Sequence, residues 1–193
     1  MRQFDAIREL VRAETDQERF RLRPSLILSL NRVAIEGLNE FAGLYRPSEM
    51  KIGNSRHNPP PPDQVPRMVE DMCDYVTENH AIAAPIHLAA YLLWRINWIH
   101  PFDDGNGRTA RAAAYAVLSI LLGYELPGSF TIPEYIARDK TPYYKALEAA
   151  YEAYQRNLVD VSELEALLER ALAEQVGDIQ RKASISPVAQ LKE

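Results

Sequence analysis

His100-Pro101-Phe102-Asp103-Asp104-Gly105-Asn106-Gly107-Arg108-Thr109-Ala110-Arg111 joins two long apolar runs, Pro85 to Ile99 and Thr109 to Leu122. Neither run contains a glycine or an internal proline, so each is predicted to be a buried helix. Pro101 and the Gly105/Gly107 pair do not continue a helix comfortably, which makes the connection a tight loop. A loop that opens straight into a helix gathers unpaired backbone N–H groups and a positive dipole end at one spot, and that suits an anion. Two glycines let the backbone approach a ligand closely. Arg108 and Arg111 stand three apart on the following helix, share a face, and can grip one polyanion. His100 contributes a group that titrates near neutrality. Asp104 contributes a hard oxygen of the kind magnesium takes when it binds together with phosphates. The stretch therefore reads as a phosphate-handling loop with a base beside it.

Bulk properties set the frame around this loop. With 193 residues, 47% hydrophobic and 25% charged, the chain has the size and composition of one soluble globular domain. A net charge of −5 argues against a broad nucleic-acid-binding face. The single cysteine, Cys73, has no internal partner for a disulfide and reads as a buried small hydrophobe. No apolar run reaches bilayer-spanning length and the N-terminus has no secretory apolar core, so a cytoplasmic protein without membrane or nucleic-acid partners is expected.

Along the chain, Phe4, Ile7, Leu10 and Val11 predict a short amphipathic helix over residues 3–20. A second helix is expected from 25 to 42, with Leu26, Leu30, Val33 and Leu38 towards the core and Gly43 as its stop. Lys51 to His57 is short and polar, with a Gly-Asn turn, as a β-hairpin would be, and Pro59 to Pro62 make a stiff connector. Helical spacing resumes from Val65 to Glu78. After the central pair, further helices are expected from Ile132 to Ala137, Thr141 through Tyr154, and Val161 to Gln175. Residues 177–193 lose the pattern. Seven or eight helices and one small hairpin make an all-α domain, divided as an N-terminal extension (1–24), a core (25–155) and a C-terminal helix and tail (156–193). His87 reads as a satisfied core or interface histidine. The tyrosines of 143–154 face the core by periodicity.

The loop also resembles, position by position, the HxFx(D/E)GNGRxxR signature of the Fic domain family. Leu30-Asn31, Ala42-Gly43-Leu44-Tyr45-Arg46 and Pro142-Tyr143-Tyr144-Lys145 extend the resemblance over about residues 25–155. The resemblance implies a Fic-type helical domain and protein adenylylation. In that chemistry AMP passes from Mg-ATP to a Ser, Thr or Tyr hydroxyl of a target protein, with pyrophosphate released. On that basis His100 is the general base and Asp104 the Mg²⁺ ligand. Gly105, Asn106 (side chain included) and Gly107 form the anion hole, and Arg108 and Arg111 hold the phosphates. Phe102 anchors the loop. Lys51, Ile52, Gly53, Asn54, Ser55, Arg56 and His57 correspond to the flap, whose edge holds an extended target segment by strand addition. Tyr135 and Tyr143 are candidate adenine contacts.

Many members of that family carry an inhibitory helix of pattern (S/T)xxxE(G/N). Val33-Ala34-Ile35-Glu36-Gly37 resembles it, but Arg32 occupies the Ser/Thr position and Glu36 lies inside the helix leading to the flap. Glu36 is therefore read as an ordinary helix residue, with the inhibitory role as the lesser reading, which leaves inhibition by a separate partner, inhibition by oligomerisation, or none at all. Two other functions stay open at this point. One is removal of AMP, or transfer of another phosphate-containing group, at the same site. The other is a nucleotide-binding interaction module without turnover. No Gly-Lys-Ser/Thr follows the glycines, so the loop is not a P-loop. The four histidines show no zinc spacing.

Overall fold

Five of the seven α-helices among the described residues carry a proline in the first turn. There its missing N–H and fixed φ cost nothing. These are α1 (Pro24–Ile35), α2 (Val65–Asn79), α3 (Pro85–Ile99), α5 (Ile132–Arg138) and α6 (Thr141–Gln155); the other two are α4 (Asn106–Leu122) and α7 (Ser162–Ile185). The computed structural model describes residues 20–53, 55, 57–126 and 131–185, with side chains as far as 177. The helix expected over residues 3–20 thus falls outside the described residues, except for Phe20, which is buried.

The protein is all-α, and α3 and α4 are its axis. On α3 every residue from Leu88 to Trp94 is buried, and on α4 Ala110, Ala112, Ala113, Ala114 and Ala116 are buried. Small side chains let neighbouring helices lie close, and α3 and α4 pack along each other, as the two apolar runs predict. Around this pair, α1 covers α4 and reaches α2, α2 packs on α3, α5 rests on α4 and α7, and α6 and α7 close the far side of α3. A reciprocal capping box between Thr131 and Glu134 starts α5. His87 is satisfied as expected, between Tyr75 (3.1 Å) on α2 and Glu165 (2.6 Å) on α7. Burial pushes the Cys73 thiol up to about 12, consistent with an unreactive core residue. Among the described residues no helix is long and apolar enough to cross a membrane.

Some boundaries differ from expectation. The helix expected over 25–42 ends at Ile35; the chain then turns through Gly37, φ +78°, and Leu38 is 72% exposed instead of joining the core. The core face of α1 is Ile27, Leu30 and Ile35, with Asn31 among them. The second central helix begins three residues earlier than the apolar pattern, at Asn106. Helix α7 continues ten residues beyond Gln175, through Gln180, Arg181 and Lys182, good helix formers that carry no apolar signal. No strand occurs among the described residues. Of the segment expected as a hairpin, Lys51, Ile52, Gly53, Ser55 and His57 are described, and there the Ser55 N–H donates to the Ile52 carbonyl at 3.3 Å.

Candidate functional site

Helix α3 ends because His100 turns left-handed, φ +51°, while its N–H still reaches the Ile96 carbonyl at 2.9 Å. A non-glycine residue in this region is uncommon and persists only where the surroundings hold it. Arg46 does so. Its Nε donates to the His100 carbonyl (2.8 Å), its Nη1 to the Ser48 carbonyl (2.9 Å) and its Nη2 to the Pro60 carbonyl, while its backbone N–H donates to the Pro101 carbonyl (2.9 Å). A guanidinium 3% exposed thus ties the loop to the segment on either side of residues 51–57.

Inside the loop, Phe102 is fully buried and stacks on Tyr45, with ring centroids 6.2 Å apart. The Asn106 side chain bonds both ways to that residue, accepting from the Phe102 N–H (2.9 Å) and donating to the Phe102 carbonyl (2.7 Å). The Asn106 amide, which the resemblance places in an anion hole, is thus engaged in shaping the loop. Gly105 precedes α4 with φ +81°, and a Cβ there would stand 2.7 Å from Ile35 Cγ2, so only glycine fits. Asn31, wholly buried, donates to the Asp104 carbonyl (3.0 Å) and Thr109 Oγ1 (3.2 Å) and accepts from the Gly43 N–H (2.9 Å). No side chain caps α4, so the N–H groups of Asn106, Gly107 and Arg108 have no helical acceptor and stand at the positive end of a 17-residue helix.

Two cavities meet at this point. The smaller, about 260 Å³, is walled by Asp103 to Arg108, Arg111, Lys140 and Tyr144, with His100 at its edge. The larger, about 830 Å³, runs past His100, Gly107, Arg111 and Tyr144 to Ile52, Gly53, Ser55, Asn97, Tyr143 and Glu148. His100, Gly107, Arg111 and Tyr144 line both. Burial, chiefly, pulls the His100 imidazole down to about 4; the nearby Arg46 and His57 push the same way, against the bond to the Asn97 carbonyl. The imidazole is therefore neutral at pH 7. With Nδ1–H donated to Asn97 O at 3.2 Å, the Nε2 lone pair is the one available to a reactant.

Arg108, in the wall of the smaller cavity, already has partners. Its Nη2 pairs with Asp104 Oδ2 at 2.8 Å and its Nη1 donates to the Ala34 carbonyl at 3.1 Å. The Asp104 side chain is 54% exposed, and its other oxygen accepts from the Gly105 N–H. No group of three metal-ligating side chains occurs among the described residues. One solvent-facing carboxylate beside an anion lobe nevertheless fits Mg²⁺, which takes most of its shell from phosphates and water. Asp103 accepts from Asn39 at 2.8 Å. Glu36 follows the end of α1, exposed, and no ion pair joins it to Arg108 or Arg111 among the described residues.

The flap residues separate into two groups. Ile52, Gly53 and Ser55 line the larger cavity, and Ser55 Oγ donates to Glu148 at 3.1 Å. His57 instead anchors the segment, bonding the Trp98 carbonyl at 2.7 Å between the Trp98 and Tyr151 rings. Lys51 lines neither cavity, and Asn54 and Arg56 lie outside the described residues. Tyr143 reaches the larger cavity, its hydroxyl accepting from Asn97 Nδ2 at 2.7 Å; Tyr135 lines neither. Tyr144 breaks the core-facing stripe and is 55% exposed at the junction. Arg46, Asn31, Asn97 and Lys140 are the contributors that sequence reasoning did not assign to the site.

A helix pair joined by a loop that sets helix N-terminal N–H groups beside a neutral histidine is the arrangement a helical domain would need to take an anion. The chain belongs to the Fic/DOC family, whose model matches residues 21–118. Among its relatives, the protein adenylyltransferase Fic of Nematostella vectensis is 37% identical over 78 residues, 40% of this chain and 18% of that protein. A probable protein adenylyltransferase of Aquifex aeolicus is 33% identical over 95 residues, 49% of this chain and 29% of that protein. The chain thus spans under a third of these curated relatives. Among solved structures, a Fic family protein from Desulfovibrio desulfuricans superposes with a TM-score of 0.71 at 22% identity, over 97% of this chain and 54% of that one.

Proposed function

We propose that this protein transfers AMP from ATP to a Ser, Thr or Tyr hydroxyl of a protein target. The observation that carries the reading is His100, a neutral imidazole with one nitrogen held by Asn97 and the other available where the two cavities meet. The target oxygen forms a bond to the α-phosphorus as the bond from that phosphorus to the bridging oxygen breaks. Pyrophosphate leaves with the electron pair, and the hydroxyl proton passes to Nε2. A base pulled to about 4 is weak at rest. A bound triphosphate places negative charge beside it, which favours the protonated form and raises its affinity for that proton.

The backbone N–H groups of Asn106, Gly107 and Arg108 would receive phosphate oxygens, with Arg111 lining both cavities beside them. Arg108 would turn from Asp104 to the β/γ-phosphates. Mg²⁺ held by Asp104 together with the phosphates would offset charge on the leaving pyrophosphate. Ile52, Gly53 and Ser55, on the wall of the larger cavity, would guide the target segment. The adenylyltransferase relatives support this reading.

The test is labelling of proteins from ATP tagged at the α-phosphate, with wild type and His100→Ala in parallel. The expected result is an AMP-sized addition, about 100- to 10,000-fold slower in the variant, with ATP affinity retained. Label carried instead by γ-tagged ATP would replace adenylylation with phosphoryl transfer. ATP binding with no α-label on any protein would favour the binding-module reading.

A further inference from the structure

Arg108, the arginine next to the anion lobe, is held by Asp104 and by the end of α1, and the α4 N-terminus offers only partial charge. Besides Arg111, another full cation stands at the same lobe. Lys140 immediately precedes α6 and lines the smaller cavity with Arg108, Arg111 and Tyr144, yet does not line the larger one. No ion pair among the described residues engages it. The neighbouring Asp139 carboxylate accepts instead from the Thr141 N–H, at 2.9 Å. The cavity is lined by three cationic side chains against two carboxylates, Asp103 and Asp104, so in a chain of net charge −5 it keeps a positive balance.

We propose that Lys140 binds the β- and γ-phosphates of the nucleotide from the α6 wall and steadies the pyrophosphate as it leaves. This rests on the AMP-transfer reading above. The placement follows from the geometry of displacement. His100, at the junction, must face the target oxygen on one side of the α-phosphorus, and the leaving group departs on the other. Residues that line only the smaller cavity therefore meet the leaving group, and Lys140 is one of them. An ammonium on a flexible stem suits this task, since it can follow the pyrophosphate as the bond lengthens.

ATP and AMP affinities would be measured by calorimetry with Mg²⁺, on a His100→Ala background that removes turnover. Because Lys140 is exposed, its replacement leaves the core intact. Adding Lys140→Gln should weaken ATP binding about tenfold, as expected for one lost charge-assisted contact, and leave AMP binding within about twofold. Lys140→Arg should restore most of the loss. Lys145→Gln, which removes a cation lining only the larger cavity, is the control. Equal shifts for ATP and AMP, no shift for either, or an equal ATP loss in the Lys145 control would each overturn the assignment. If the background protein binds ATP no more tightly than AMP, the triphosphate reading itself fails, and the role of Lys140 with it.

Discussion

The motif loop and the segment over the larger cavity are built in opposite ways. From His100 to Thr109, polar side chains are tied to one another or to distant backbone: Asn106 to Phe102, Asn31 to Asp104 and Thr109, and Arg46 to His100. Among the described residues of 51–57, Ser55 bonds Glu148 and accepts from the His57 N–H (3.1 Å), His57 docks on Trp98, one backbone bond joins Ser55 to Ile52, and a Cβ placed on Gly53 would touch nothing within 4 Å. A loop that must place a base and several N–H groups within a fraction of an ångström needs every rotamer fixed by a second layer of bonds. A wall that only guides a protein segment, as proposed for Ile52, Gly53 and Ser55, does not.

The contrast breaks most visibly at Arg46. Arg46→Ala removes a buried guanidinium and leaves the carbonyls of His100, Ser48 and Pro60 without their donor. Chemical denaturation should show a loss of about 4 kcal/mol, since the three bonds are charge-assisted and the guanidinium that makes them is buried. A loss under about 1 kcal/mol would mean that the loop holds its left-handed histidine unaided.

The next effect is on pH dependence. The folded-state pKa of His100 is pulled down to about 4, against about 6.5 in an unfolded chain. Between those values the unfolded chain binds the extra proton. The stabilisation is thus complete above about pH 6.5 and lost as pH falls towards 4, by up to about 3 kcal/mol. His57, also depressed by burial, adds in the same direction. His100→Asn, which tolerates the left-handed backbone, should flatten the stability profile in that window. An unchanged slope would remove burial as the reason the imidazole is neutral.

Gly105→Ala should cost about 2 kcal/mol, because the methyl meets Ile35 Cγ2 at 2.7 Å and φ is +81°. It should also weaken phosphate binding, since α1 and the start of α4 would have to separate. Thermal unfolding and ATP titration of one variant read both.

What was legible in the chain follows the same division. The loop could be read because its residues are neighbours in sequence, so spacing alone reports which groups share a turn. The central helices could be read because their apolar runs exceed any strand. The supports could not: Arg46 reaches His100 across 54 residues and Asn31 reaches Asp104 across 73, and no local pattern states those distances. Asn97 looked like one polar residue in an apolar helix, and Lys140 like a surface lysine outside any motif. The type of Asn106 suits an anion hole, and its bonds to Phe102 are revealed only by the folded loop. Leu38 had core spacing, but Gly37 turned the chain away before that spacing could be used.

The smallest expected effect sharpens the comparison most directly. Ser55 and Glu148 form a part-buried bond at 3.1 Å; Asn31 and Thr109 form a buried one at 3.2 Å. Distance alone ranks them equal. A double-mutant cycle on each pair separates them, because the coupling energy depends on whether water replaces the lost partner. Ser55→Ala with Glu148→Gln should couple by about 0.5 kcal/mol, as water reaches the cavity wall. Asn31→Ala with Thr109→Val should couple by about 1–2 kcal/mol, as nothing replaces a donor at a site with no exposed surface. Equal couplings would mean that the wall of the larger cavity is as tightly specified as the loop. The target segment would then be selected by a preformed surface and not by one that adapts to it.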